Sequence, residues 1–366
     1  MLEIKVCKHC YNRLGFGVIS KNCTLCCNAF DRIGEFAERI VKYLLEFEFT
    51  RFQIGSRVRG SLKAVHEYLA NFGIDDEKSM KSKFNRLLSI EIERLTGKKA
   101  SNANPEVIIT FDLEDFSFDI KVLPIYIYGR YVKRIRNISQ TRWLCRFCNG
   151  KGCEVCEYTG KRYYTSVEEL ISKPIVDLFK AKDAILHGAG REDVDARMLG
   201  SGRPFVLEVV EPKRRYIPIE EVERAVNDYC KGKVMVRGLR YTNAKEVEVV
   251  KGERRRKVYR AKVVFDREIS REQLEKAVEE LSYKEIHQRT PKRVLHRRAD
   301  LVRIRKTYGI EILLHRGRIA VLRIEADGGL YIKELVNGDE GRTKPSLAEL
   351  LGCDARVEKL DVLDVL

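Results

Sequence analysis

No apolar stretch of this sequence approaches the roughly 20 residues that a membrane-spanning helix needs, so no bilayer span is expected. The first residues, M-L-E-I-K-V-C-K-H-C, lack the apolar core of a secretory signal, and the protein is expected to be cytoplasmic. No P-loop glycine pattern and no convincing dinucleotide-binding fingerprint occurs, so nucleotide-cofactor chemistry is not expected. Negative charge is in short supply. Seventy Lys+Arg face 54 Asp+Glu, a formal charge of +16 over 366 residues, with pI ≈ 9.3. Such a surplus points to an anionic partner, most often nucleic acid, although adaptation to heat also enriches charge. With 44% hydrophobic and 34% charged residues, the chain reads as a folded protein of two or more domains, each burying its own core.

Eleven cysteines without a sign of export read as metal ligands, not disulfides. Cys7-x2-Cys10 and Cys23-x2-Cys26 suit one tetrahedral zinc site, because each knuckle presents two thiolates on one tight turn. Cys26, not the adjoining Cys27, completes the regular spacing. Cys145-x2-Cys148-x4-Cys153-x2-Cys156 forms a second set, in which Gly150 and Gly152 let the backbone fold around one ion. Its two pairs lie close together in sequence, so an exchange of partners with Cys7 and Cys10 stays open. Cys230 and Cys353 have no partners at ligand spacing and read as core. One or two structural zinc ions are therefore expected.

Apolar periodicity predicts a helix over 31–47, a strand over 47–54, a helix over 76–95 stopped by Gly97, and strands over 107–113 and 118–128. Residues 129–143, G-R-Y-V-K-R-I-R-N-I-S-Q-T-R-W, interleave five cations with Tyr131 and the only tryptophan. Cations bind phosphates and rings stack on bases, so the stretch reads as an RNA contact. Neutralising Lys133, Arg134 and Arg136 is expected to weaken RNA binding and spare turnover. Ser166-x-x-Glu169 forms a capping box whose helix should end before Pro174, with 175–182 as a second piece. Beyond lie a helix over 219–230, strands over 233–241 and 257–265, and a helix opened by Ser270-x-x-Gln273. Strands over 301–305, 309–314 and 319–325 and a helix over 346–351 complete an α+β domain on a largely antiparallel sheet.

Within residues 188–208 three acids (Glu192, Asp193, Asp195) alternate with Arg191 and Arg197 among four glycines, ahead of an apolar strand from 205 to 210. Glycine permits close backbone approach to a ligand, and arginine beside a carboxylate keeps it ionised. The run G-R-E-D-V-D-A-R-M-L-G-S-G-R-P-F resembles the Pus-ten family of tRNA pseudouridine synthases. These enzymes share an aspartate with a glycine five residues on, and Asp195 and Gly200 reproduce that spacing. Gly190-Arg191-Glu192-Asp193 also imitates a G-R-x-D form, which makes Asp193 the rival. Lys257-x-Tyr259-x-Ala261-x-Val263 is similar to the family strand whose tyrosine packs on the target base. Gly329-Leu330-Tyr331-Ile332-Lys333 looks like its G-T-Y-I-R strand, with a lysine point charge in place of the arginine fork. Residues 288–300 also resemble the family and concentrate cations with His296, read as a contact on the phosphate side.

The resemblance implies isomerisation of uridine to pseudouridine in tRNA, at positions 54 and 55 of the T-loop. Asp195 would be the nucleophile, Tyr259, Tyr331, Lys333, Arg191 and Ile332 would meet the substrate, and no catalytic cofactor would be needed. The expected organisation is a zinc ribbon over 1–30, a THUMP-like RNA-binding region over 31–142, a four-cysteine knuckle over 143–160 and a synthase domain over 161–366, in a monomer. An alternative from another class is a zinc-containing tRNA-binding protein without catalysis, its acidic loop merely structural. Retention of Asp195, Tyr259 and Lys333 together speaks against it.

Overall fold

A computed structural model describes residues 4–252 and 255–366. They divide into two units, one comprising the chain to Ile125 with Leu178–Asp183 and Val209–Ile217, the other Tyr126–Asp177, Ala184–Glu208 and Pro218–Leu366.

In the first unit β1 (Lys5–Val6), α1 (Lys8–Leu14) and β2 (Val18–Ile19) precede α2 (Ile33–Leu44), β3 (Arg51–Arg57), α3 (Gly60–Ala70), α4 (Glu77–Thr96), β4 (Lys99–Ala100), β5 (Val107–Asp112) and β6 (Phe118–Val122). β1 and β2 pair in parallel. The larger sheet runs β4-β3-β5-β6, with β3 parallel to β4 and β5 and β6 antiparallel to β5. In α4 the four-residue spacing of Met80, Phe84, Leu88 and Ile92 puts all four on one buried face. Phe84 and Phe36 of α2 close on Phe111 of β5 at ring separations of 5.2 and 4.8 Å. Gly97 ends α4 at φ 69°, a left-handed turn that costs glycine nothing. The expected strand over 118–128 is two strands broken at Pro124, which has no N–H to donate. α3 is not among the expected elements, although Leu62, His66 and Leu69 recur at helical spacing and form its buried face.

The second unit contains all but the terminal residues of β7 (Ile125–Lys133), α5 (Val167–Phe179), β8 (Asp183–Gly188) and β9 (Arg197–Val210), and the whole of α6 (Ile219–Cys230), β10 (Val234–Thr242), α7 (Ala244–Gly252) and β11 (Lys257–Phe265). It continues with α8 (Arg271–Leu281), β12 (Glu285–Arg289), β13 (Val302–Arg316), β14 (Ile319–Ala326), α9 (Ile332–Asn337), β15 (Thr343–Lys344), α10 (Leu347–Leu351) and β16 (Ala355–Val365). Its sheet runs β10-β7-β9-β16-β11-β14-β13-β12-β15, with β8 on β9. β9 meets β16 in parallel, whereas β10–β7, β11–β14, β11–β16 and β13–β14 are antiparallel. This is the mixed, largely antiparallel α+β architecture expected.

Three local expectations need correction. α5 continues through Pro174 without stopping. Proline removes the N–H that would bond the Leu170 carbonyl, and the Cys230 thiol, 3.5 Å from that oxygen, takes its place. The two strands expected over 301–314 are one strand, β13, whose pairing with β14 shifts at Thr307/Gly309 and Ile312/Leu314. Residues 329–333 are not a strand. The Tyr331 N–H donates to Gln288 Oε1 at 2.8 Å and its carbonyl accepts from Gln288 Nε2 at 3.1 Å, so a side chain stands where a neighbouring strand would be. α9 begins at Ile332. Among the described residues no helix is long and apolar enough to cross a membrane.

Candidate active site and metal clusters

Cys7 precedes the first turn of α1 and Cys10 lies within it. With Cys23 and Cys26 they form a buried set whose sulfurs all lie within 4.8 Å of one another. Cys145, Cys148, Cys153 and Cys156 form a second such set. The Cys7–Cys26 separation is 3.6 Å, and Cys153–Cys156, Cys148–Cys156 and Cys145–Cys153 are 3.7, 3.8 and 3.9 Å. Four thiolates at the usual zinc–sulfur distance make a tetrahedron with edges of roughly 3.8 Å, so each set fits one ion without exchanging partners. In the second set Gly152 N–H donates to Cys148 Sγ at 3.2 Å and Gly160 N–H to Cys156 Sγ at 3.3 Å. Cys27 is exposed and belongs to neither set.

The loop 189–196 joins β8 to β9 beside a cleft of about 760 Å³ whose walls include Arg191, Asp193, Tyr259, Arg293, Tyr331 and Ile332. Asp195 is not itself in the cleft wall, although its neighbours Val194 and Ala196 are, and its side chain is 53% exposed. Lys333 Nζ donates to both of its oxygens, at 2.9 and 2.7 Å, and lies 3.5 Å from Asp193 Oδ2. Arg293 reaches Asp193 Oδ1 at 3.0 Å and Glu334 Oε1 at 2.6 Å, with its guanidinium 5.6 Å from the centre of the Tyr331 ring. Partial burial lifts the Asp195 pKa, but the Lys333 hydrogen bond and charge, with Arg293 behind, outweigh it and hold the carboxyl below its usual range. Asp195 is therefore an anion at neutral pH. Burial pushes the Tyr259 hydroxyl up to about 12 against the pull of Arg203, so it stays a neutral phenol.

Of the five residues expected to meet the substrate, four are in the cleft wall and Lys333 is not. Arg191, Tyr259, Tyr331 and Ile332 line the cleft, and Lys333 holds the aspartates. Arg293 went unassigned in the sequence, although it lies in the basic stretch 288–300. Lys257 was visible only as a motif letter. It lines the cleft on the same face of β11 as Tyr259, and burial followed by the charge of Arg203 brings its pKa down to about 7. His296 is not in the cleft wall; its Nε2 lies 3.3 Å from Arg146 Nη2.

Residues 126–366 match the C-terminal domain of Pus10, and residues 36–112 match the archaeal Pus10 THUMP domain. The chain belongs to the Pus10 family. It is 58% identical over 362 residues to the tRNA pseudouridine synthase Pus10 of Archaeoglobus fulgidus, across 99% of this chain and 100% of that protein. To the tRNA pseudouridine synthase Pus10 of Methanothrix thermoacetophila it is 45% identical, across 98% of this chain and 80% of that one. Among solved structures, a crystal structure of a Cbf5-Nop10-Gar1 complex aligns with TM-score 0.35 and 18% identity over 64% of this chain and 47% of that one.

The stretch 129–143, inside the Pus10 C-terminal domain, does not serve as expected. Tyr131 and Lys133, two apart and so on the same face of β7, are wholly buried beneath the loop that carries Glu192, Asp193 and Val194. Neither can meet RNA. The Tyr131 hydroxyl donates to Glu192 Oε2 at 2.8 Å, and the Lys133 ammonium donates to the carbonyls of Ile138 and Val194 at 3.0 and 3.2 Å. Arg134 is exposed and Trp143 lines the cleft, so these two keep an outward role. Glu192 itself turns inward, fully enclosed, and accepts from Arg203 Nε at 2.9 Å. Burial would raise its pKa, but Arg203 and Lys133 overcome that and keep it charged.

Proposed function

We propose that this chain converts uridine to pseudouridine in the tRNA T-loop, at positions 54 and 55, with Asp195 as the nucleophile. Membership of the Pus10 family makes the activity that of a tRNA pseudouridine synthase, an isomerase. The observation that carries the choice of Asp195 is its pairing with Lys333, which binds both oxygens of a half-exposed carboxylate beside the cleft.

The target uridine leaves the base stack at a cost of a few kcal/mol and enters the cleft, where Tyr259 and Tyr331 offer ring surfaces and Arg191 and Arg293 offer cations to the sugar-phosphate backbone. Ionised Asp195 attacks the ribose C1′ or opposes the positive charge that develops there. The N1–C1′ bond breaks and its electron pair leaves with the uracil. The base rotates, C5 bonds to C1′ while any Asp195–C1′ bond breaks and returns its electron pair to the carboxylate, the C5 proton is lost and N1 gains one. Atoms and electrons balance, so the reaction itself calls for no redox cofactor.

Zinc fits both cysteine sets as a structural ion, since four thiolates leave no open position for chemistry. Metal analysis of protein purified without added zinc should find about one zinc per set. No zinc, with all thiols freely titratable in the native state, would refute this.

Asp193 supports a second assignment, because it lines the cleft and pairs with Arg293. On T-loop-unmodified tRNA, Asp195→Asn should abolish pseudouridine formation and largely keep tRNA affinity, as expected for an interaction made mainly in the transition state. Asp193→Asn should slow the reaction less. Full activity in Asp195→Asn with none in Asp193→Asn reverses the assignment. Full activity in both overturns the catalytic role of the loop and leaves a tRNA-binding protein.

A further inference from the structure

The backbone of the loop 189–195 belongs to no helix or strand, yet its carbonyls are taken one after another by side chains. Arg203 Nη1 donates to Ala189 O at 2.7 Å, Gln140 Nε2 to Gly190 O at 2.8 Å, and Arg136 Nη1 to Asp195 O at 2.8 Å. Lys133 Nζ spans Asp193 O and Val194 O at 3.3 and 3.2 Å. Gln140 Nε2 also lies 2.8 Å from the Tyr131 hydroxyl, which donates to Glu192, which in turn holds Arg203. The chain of bonds leaves the loop at Gly190, takes in Glu192 and returns at Ala189.

We infer that Lys133 and Gln140 are positioning residues of the isomerisation: by fixing the carbonyls on the buried side of the loop, they set where Asp195 and Asp193 stand on its open side. This rests on the loop being the reactive one. A buried ammonium is costly unless its donors are used. Those of Lys133 go to backbone oxygens, Ile138 O included, while the Glu192 carboxylate lies 3.8 Å away. Its bonding capacity is thus spent on loop geometry. Lys133 is wholly buried and cannot touch tRNA, whereas Gln140 is 6% exposed and reaches only the edge of the cleft wall. The effect of Lys133 must therefore appear in the rate of the bound complex, not in affinity. A displacement of about 1 Å in a reacting group can cost about a hundredfold in rate.

The test uses the full-length protein with T-loop-unmodified tRNA, measuring single-turnover rates at saturating enzyme and tRNA affinity separately. Lys133→Met removes the donors at nearly constant volume and leaves Glu192 paired with Arg203. Gln140→Leu removes the Gly190 bond with no change of charge, and it carries the test should Lys133→Met fail to fold. The expected result is a fall of about a hundredfold in rate for Lys133→Met, a smaller fall for Gln140→Leu, and tRNA affinity near that of the parent. A general structural lesion would instead lower affinity and rate together, and that outcome overturns the inference. So does a parental rate in folded Lys133→Met or Gln140→Leu beside an inactive Asp195→Asn, which leaves the catalytic loop standing. Full activity in both aspartate variants removes the reactive loop and the inference with it.

Discussion

Glu192 and Asp195 lie three residues apart in one loop, and each carboxylate is bound by a cation, but they stand on opposite sides of it. The Glu192 side chain has no exposure and its partner Arg203 has 1%. The Asp195 side chain is 53% exposed and Lys333 22%. Inside, neither charge has water to fall back on, so each exists only because of the other. Outside, water competes with the pair, and such pairs contribute about 0–1 kcal/mol to stability. The inner pair therefore builds the loop. The outer pair does little for the fold, and its geometry is explained better by what it presents to the cleft.

The same chemical change on the two sides should separate these roles most clearly. Glu192→Gln leaves Arg203 and Lys133 buried without their anion, and denaturant unfolding should show a loss of roughly 3–5 kcal/mol. Asp195→Asn should cost about 1 kcal/mol or less. The sign follows the pKa. Glu192 is held below its ordinary value, so its contribution is present above the usual carboxylate range and is lost as pH falls through the folded pKa. The gap between Glu192→Gln and the parent should accordingly narrow in acid. Equal costs for the two substitutions at neutral pH would erase the distinction between the sides of the loop.

Sequence conveys little of that distinction, and particular residues show why. The signals that read correctly are local: the four-residue apolar spacing of α4 with Gly97 behind it, the reciprocal Ser270–Gln273 cap of α8, and the paired cysteines. Glu192, Asp193 and Asp195 differ in role through contacts with Arg203, Arg293 and Lys333. No spacing within the loop encodes which of them turns inward. Lys133 and Tyr131 looked like an RNA-binding pattern because composition registers a charge and a ring but not the loop around Glu192 and Val194 that covers them. Likewise Ile332 and Lys333 follow an apolar pattern fit for a strand. Gln288, far away in sequence, ends it by bonding both the N–H and the carbonyl of Tyr331.

Lys257 tests where the boundary between the two sides runs, with the smallest expected effect. It lines the cleft, yet burial and the charge of Arg203 outweigh the attraction of Glu192 and bring its pKa down to about 7. An unfolded lysine titrates near 10.4. Between about 7 and 10.4 the unfolded chain thus binds more protons than the folded one, so this residue's contribution to stability rises with pH across that window, and its penalty is full below it. Lys257→Met removes the penalty. Because the side chain is only partly buried at the cleft surface, the gain at pH 7 should be modest, on the order of 1 kcal/mol, and should shrink as pH approaches 10. Paired denaturant melts of parent and variant at pH 7, 8.5 and 10 would follow it. A difference that does not change with pH would mean that water reaches Lys257 freely, and the buried side of the loop would then end at Arg203.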